Sequence, residues 1–192
     1  MDDNTKYPSN YYNPVDLRNL LRLLASQNTM WTRSYVVSYI SNIDDLPVLE
    51  NRLYVNVMDF TKLFNIYYGD ESSDIFDGLF RAYVRELINT LKLLVENFTG
   101  QTINTQQALI KAREDWNNAG NELALFLSSI NPYWEYTQFQ RLISDHIEMT
   151  IDQIDQRLIK NYDYEIHQYD FIEYHSLMIA DILVNGIIDM FY

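Results

Sequence analysis

Residues 72–98 read SSDIFDGLFRAYVRELINTLKLLVENF, and within them Phe76, Phe80, Tyr83, Leu87, Leu91, Leu94 and Phe98 recur at steps of three and four. That spacing puts them on one stripe of an α-helix, whose turn closes every 3.6 residues. A half-buried strand would alternate apolar and polar at every second residue, and this stretch does not. Ser72 or Ser73 is placed to cap the start, and Thr99-Gly100-Gln101-Thr102 ends it.

The same period appears on both sides. Leu17, Leu21, Leu24, Trp31, Tyr35 and Tyr39 predict a helix from Pro14 to Ser41, opened by Asn13-Pro14. Ile43-Asp44-Asp45-Leu46-Pro47 breaks it. Two short amphipathic segments follow, at about 47–55 and 57–66, and then a turn at Tyr67-Tyr68-Gly69-Asp70. Beyond residue 100 the pattern predicts helices at about 104–130, 135–160 and 164–190, parted by Asn131-Pro132 and by Asn161-Tyr162-Asp163. No stretch reads as a strand and no internal repeat is visible. The expected fold is all-α: an up-and-down bundle of four to six helices around a four-helix core, ferritin-like in general shape. Residues 1–13 are expected to be a flexible lead-in and 14–192 a single domain.

Composition narrows the function. Of the 192 residues, 47% are apolar and 21% charged, a globular balance. A net charge of −13 argues against a nucleic-acid partner, since neutralising phosphates needs a basic face. It argues equally against anionic membrane surfaces. With no cysteine, disulfides, thiolate nucleophiles and zinc–sulfur sites are excluded. The opening Met1-Asp2-Asp3-Asn4 is the reverse of a signal peptide, and no unbroken apolar run approaches the ~20 residues of a membrane span. The expected location is the cytoplasm, with a small ligand or self-association as the open choices of partner.

Candidate functional residues are polar groups set into apolar stripes: Asn28, Tyr83, His146 and Glu173. Thr150 stands in line with His146, and Asp170 lies one turn before Glu173 at the edge of the same arc. A buried polar group left unsatisfied costs roughly 1–3 kcal/mol, so these side chains must pair with one another or face a ligand. His146 and Glu173, on consecutive helices, are the expected pair. His167 and His175 fall on the opposite side of the last helix and are expected in solvent. Arg33, Arg52 and Arg141 are expected in surface ion pairs, and Trp31, Trp116 and Trp134 between helices.

Motifs for other chemistry are missing. There is no Glu-x-x-His, no His-Glu-x-x-His, no glycine-rich phosphate loop and no Gly-x-Ser-x-Gly. The carboxylate pairs Asp145-x-x-Glu148 and Asp170-x-x-Glu173 have no imidazole at the offset a di-iron bundle uses.

Several short stretches resemble a family of small uncharacterised bacterial helical proteins, often labelled acetylglutamate kinase by automated naming. They are Trp31-Thr32-Arg33, Asn51-Arg52-Leu53, Tyr68-Gly69-Asp70-Glu71, Phe126 to Trp134, His146, Tyr169-Asp170, Ala180-Asp181 and Gly186-Ile187-Ile188. The resemblance implies a helical fold and a bacterial source, and no established activity. A kinase would need a glycine-rich α/β fold that these residues do not encode. Relatives often carry His where this chain has Asn28 and Tyr83, which with His146 and Glu173 would make a metal site. This chain departs at two of those positions.

The leading expectation is therefore a non-catalytic binding or interaction protein with a polar layer in its core. The alternative is a metal-binding bundle of oxidoreductase type, with a single transition metal on His146 and Glu173. A structural, self-associating assembly protein is the third reading.

Overall fold

The computed structural model describes residues 11–100 and 105–192. Among them are five helices and no strand: α1 (Pro14–Ser41), α2 (Leu46–Thr99), α3 (Thr105–Ile130), α4 (Tyr136–Leu158) and α5 (Tyr162–Phe191). The all-α expectation holds.

Asn13 caps α1 through its side-chain oxygen, which accepts from the backbone N–H of Val15 at 3.1 Å and of Asp16 at 3.0 Å. Pro14 follows at the first helical position, where its missing N–H costs nothing. At the other end Asn42 turns left-handed, and its N–H reaches back to Ser38 and Tyr39.

α2 is two helices joined at Gly69, where φ is 76° and ψ 179°. Only glycine enters that region without strain. The chain reverses there. Phe64 and Phe76 stack at 4.0 Å, and Phe60 meets Phe80 edge to face at 5.5 Å. In a straight helix residues 60 and 80 would lie about 30 Å apart. The expected turn at 67–70 is thus present, now as a hairpin within α2. The expected break near residue 56 is absent: the first arm runs unbroken because Asn56, fully buried, donates to the Leu24 carbonyl at 3.1 Å.

Six helical segments result, and each lies antiparallel to the next. Asn28 bonds Asn56 between α1 and the first arm of α2, and Thr61 bonds Asp77 between the two arms. Thr90 reaches Ala112 on α3, Asn117 on α3 meets Ser144 on α4, and Gln153 on α4 meets Glu165 on α5. The ring closes where α5 returns to α1 through Arg22–Asp181, Arg18–Asn185 and Ser176 to the Ala25 carbonyl. Interaxial spacings of roughly 8–10 Å put six axes in a ring about that far from its centre, while side chains extend only ~5–6 Å from an axis. Such a ring leaves space at its middle unless large side chains fill it. Here α2 also touches α4 across the ring, so the ring is flattened.

The connection from α3 to α4 locks one end. Asn131, fully buried, donates to the Tyr68 hydroxyl at 2.8 Å and to the Gly186 carbonyl at 2.9 Å, and accepts from the Tyr133 N–H. Trp134 follows and packs against Phe64, Tyr68 and Phe139. Three of the stretches behind the family resemblance, around Tyr68, Asn131–Trp134 and Gly186, therefore meet in one corner.

Residues 1–10 of the expected lead-in, together with Gln101 and Thr102, lie outside the described residues. Tyr11 belongs to the fold, with its ring 4.7 Å from Tyr67 and 5.7 Å from Phe191. α5 spans 30 residues and is long and apolar enough, by length and composition, to cross a membrane. In this fold α1 and α4 pack against it.

Candidate ligand cavity

A cavity of about 100 Å³ sits at the centre of the ring, and all six helical segments line it. Five of its fifteen lining residues are Phe or Tyr. Phe60, Phe76, Phe80 and Tyr83 come from the two arms of α2, and Phe139 from α4. The hairpin at Gly69 makes this possible, because it turns the phenylalanine stripes of both arms towards one another. Ala25 of α1, Leu123 and Leu127 of α3, Ile143 of α4, and Ile179, Ala180 and Leu183 of α5 complete the apolar lining.

Four polar residues reach the wall: Asn28, Tyr83, His146 and Ser176. Three were legible as interruptions of apolar stripes, and the fold brings those three to one cavity. Asn28 donates to Asn56 at 2.9 Å, and the Ser176 hydroxyl donates to the Ala25 carbonyl at 3.1 Å. Burial pushes the Tyr83 hydroxyl well above the usual phenol range, so it remains protonated. The Trp116 ring lies 5.7 Å from that of Tyr83.

His146 is the exception, since its Nδ1 is shielded from solvent and has no hydrogen-bond partner. Burial, and then the neighbouring His175, lower its pKa to about 4, so the ring is neutral at ordinary pH. The His175 ring lies 5.7 Å away at 24°, nearly parallel. Burial lowers His175 too, against the pull of Asp145, and its Nδ1 is likewise shielded and unpartnered. The expectation of a solvated His175 is corrected: α4 covers that flank of α5. His167 is exposed as expected.

The remaining candidates lie elsewhere. Glu173 accepts from the Ser26 hydroxyl at 2.5 Å, on the seam with α1, and does not line the cavity. Asp170 is exposed. Thr150 donates to the backbone carbonyl of His146 at 2.8 Å, a bond within its own helix. Among the described residues no three His, Asp or Glu side chains form a group that could hold a metal ion.

The sequence reading missed the most deeply buried acid. Glu165 is 1% exposed and accepts from Arg33 through both oxygens, at 2.8 and 3.0 Å. Arg157 and Gln153 add contacts at 3.3 Å each. Arg33 is therefore a core staple between α1 and α5 and not a surface ion pair. Its signal was available, because Glu165 precedes Ile172 by seven residues and shares its helical face. Arg52 also departs from expectation: its guanidinium lies over the Trp31 ring at 5.2 Å and donates to Gln27. Arg141 is exposed. The three tryptophans pack between helices as expected; the Trp116 indole N–H faces the Tyr83 hydroxyl, while those of Trp31 and Trp134 find no hydrogen-bond acceptor.

Compared with known protein families, with curated proteins and with solved structures, the chain matches none.

Proposed function

We propose that this protein is a non-catalytic binding protein whose helical ring holds a small apolar molecule at its centre. The observation that carries the reading is the cavity itself: about 100 Å³, with five aromatic rings and the His146 side chain in its wall. Binding sites are concave, mostly apolar and furnished with a few convergent polar groups, and this cavity has that make-up. A dry apolar cavity of roughly 150 Å³ in a helical protein takes up benzene, so the scale is that of a single small molecule. The net charge of −13 supports a function away from nucleic acid and anionic membranes, in the cytoplasm.

The test is uptake of a neutral probe. Xenon or benzene should shift the methyl resonances of Leu123, Leu127, Ile143 and Leu183 and raise the thermal midpoint in proportion to RT ln(1 + [L]/Kd). Ala180→Val, which fills the wall, should weaken both effects. Unmoved methyl resonances with either probe would refute the reading and leave a purely structural polar core.

A further inference from the structure

A guest at the centre of a closed ring needs a way in, and where it enters follows from how the ring is fastened, an inference that rests on the binding reading above. Six helical segments wall the cavity, so six seams surround it, and they are not equally secured.

Five seams are held near the cavity by hydrogen bonds or close packing. α1 meets the first arm of α2 through Asn28, Asn56 and the Leu24 carbonyl. The two arms of α2 set Phe60 edge to face on Phe80 and bond Thr61 to Asp77. The second arm meets α3 where Tyr83 packs on the fully buried Trp116. α3 approaches α4 so closely that a Cβ at Gly120 would lie 2.6 Å from Ile143, and beside it Asn117 accepts from Ser144. α5 is stapled to α1 by Ser26 to Glu173, Ser176 to the Ala25 carbonyl, and Arg22 to Asp181.

The sixth seam, between α4 and α5, is pinned only at its ends. At one end Glu165 accepts from Gln153 and Arg157. At the other, Asn131 and Trp134 hold α5 at Gly186. Between these pins α5 runs for roughly 30 Å. Along that length, among the described residues, no hydrogen bond or ion pair joins it to α4. In the gap stand two rings, His146 of α4 and His175 of α5, with centroids 5.7 Å apart and planes nearly parallel. His146 lines the cavity, whereas His175 does not and is partly exposed to solvent. Ile179, one turn further along α5, both lines the cavity and is partly exposed. The wall is thinnest here.

The same ring pair makes parting cheap. Each Nδ1 is shielded from solvent and has no hydrogen-bond partner, which is a costly state for a polar atom. Once the rings separate, water reaches both nitrogens and offsets part of the packing that is lost. Parting α5 from α1 instead would break hydrogen bonds already made.

We propose that the α4–α5 seam at His146 and His175 is the portal of the cavity, with His175 as its gate. Rotation of the His175 side chain and a slight bowing apart of the two helices admit the guest. The pins at Glu165 and Gly186 keep the helix ends together and draw the seam shut behind it.

Relaxation dispersion of the Ile179 and Leu183 methyl groups in the presence of benzene measures entry and release in the full chain. The sequence has no cysteine, so His146→Cys with His175→Cys supplies the only two thiols, and a short bifunctional thiol reagent ties the seam. Tying should slow entry and release at least about tenfold against the same variant left untied, with Kd nearly unchanged. Tying α5 to α1 through Ser26→Cys with Glu173→Cys should leave both rates as they were. His175→Ala, which alters a residue outside the cavity lining, should speed both rates at least about threefold with Kd nearly unchanged. Where a cysteine pair fails to fold, His175→Ala decides the matter alone. Exchange as fast with α4 and α5 tied as untied, equal slowing by both ties, or no acceleration in His175→Ala would overturn the portal and leave the binding cavity standing. No uptake of benzene by the parent protein would overturn the binding reading itself.

Discussion

Gly186 and Gly78 are both interior helical glycines, and replacing each with alanine should change stability in opposite directions. At position 78 a Cβ would meet nothing within 4 Å, so Gly78→Ala should gain the helix preference of alanine, about 0.5–1 kcal/mol. At position 186 the same methyl would lie within 3.0 Å of three atoms of the Trp134 indole. Ordinary van der Waals contact begins near 3.4 Å, so either the indole or α5 has to move. Trp134 is nearly fully buried and hemmed in by Phe64, Tyr68 and Phe139. Overpacking of that kind costs about 1–3 kcal/mol and sometimes more. Displacing α5 would also strain the Asn131 bond to the Gly186 carbonyl, a further ~1 kcal/mol. Set against the alanine preference, the net loss for Gly186→Ala is about 1–3.5 kcal/mol. Urea unfolding followed by circular dichroism measures both variants against the parent, with the midpoint rising for Gly78→Ala and falling for Gly186→Ala. A Gly186→Ala protein as stable as the parent would refute the close seating of Trp134 on α5.

Three further outcomes follow from the same geometry. In the unfolded chain His146 takes up a proton near pH 6.5, but in the fold only near pH 4. The unfolded state thus binds more protons between those values, so stability is fully present above about pH 6.5 and declines as pH falls towards 4. The gap is worth up to about 3 kcal/mol at 1.36 kcal/mol per pKa unit, reduced by the partial exposure of the ring, and unfolding free energies of the parent and His146→Phe across this window should diverge accordingly. Glu165→Ala leaves Arg33 and Arg157 without their shared carboxylate and should cost about 3–5 kcal/mol in chemical denaturation, whereas breaking the half-exposed pair with Arg22→Ala should cost about 1 kcal/mol or less. Gly69→Ala has ample room but the wrong backbone, and should lower stability by roughly 1–3 kcal/mol through φ and ψ alone.

The helices were legible because each carries a long stripe at a single period, and the caps at Asn13 and Gly100 mark their ends chemically. The break expected near residue 56 failed for a specific reason. An asparagine inside an amphipathic run weakens local helix preference, but Asn56 is held by Asn28 and the Leu24 carbonyl, partners that only tertiary structure supplies. The cavity was half legible. Asn28, Tyr83 and His146 interrupt apolar stripes on three different helices, and burial of those stripes brings all three to the centre. Glu173 satisfies the same criterion and lands elsewhere, because a helical wheel drawn for α5 alone cannot tell which part of its broad apolar arc faces α1. His175 lies on the flank that α4 covers, and no pattern within α5 marks which neighbour will lie there. The reversal at Gly69 was read as a turn, but that it would face two phenylalanine stripes across one cavity depends on the ring closing.

That closure has a consequence for assembly. The contacts sealing the ring join residues 132 to 167 positions apart, from Arg33–Glu165 to Arg18–Asn185. Every other neighbouring pair of segments is consecutive in the chain and can zip locally, whereas closing so long a loop costs entropy before any contact repays it. During synthesis α1 to α4 can therefore assemble as an open trough, with Phe60, Phe80 and Phe139 facing water until α5 has left the ribosome and docked. The cavity is complete only once α5 has docked, and until then its aromatic wall is an exposed apolar surface of the kind that promotes aggregation.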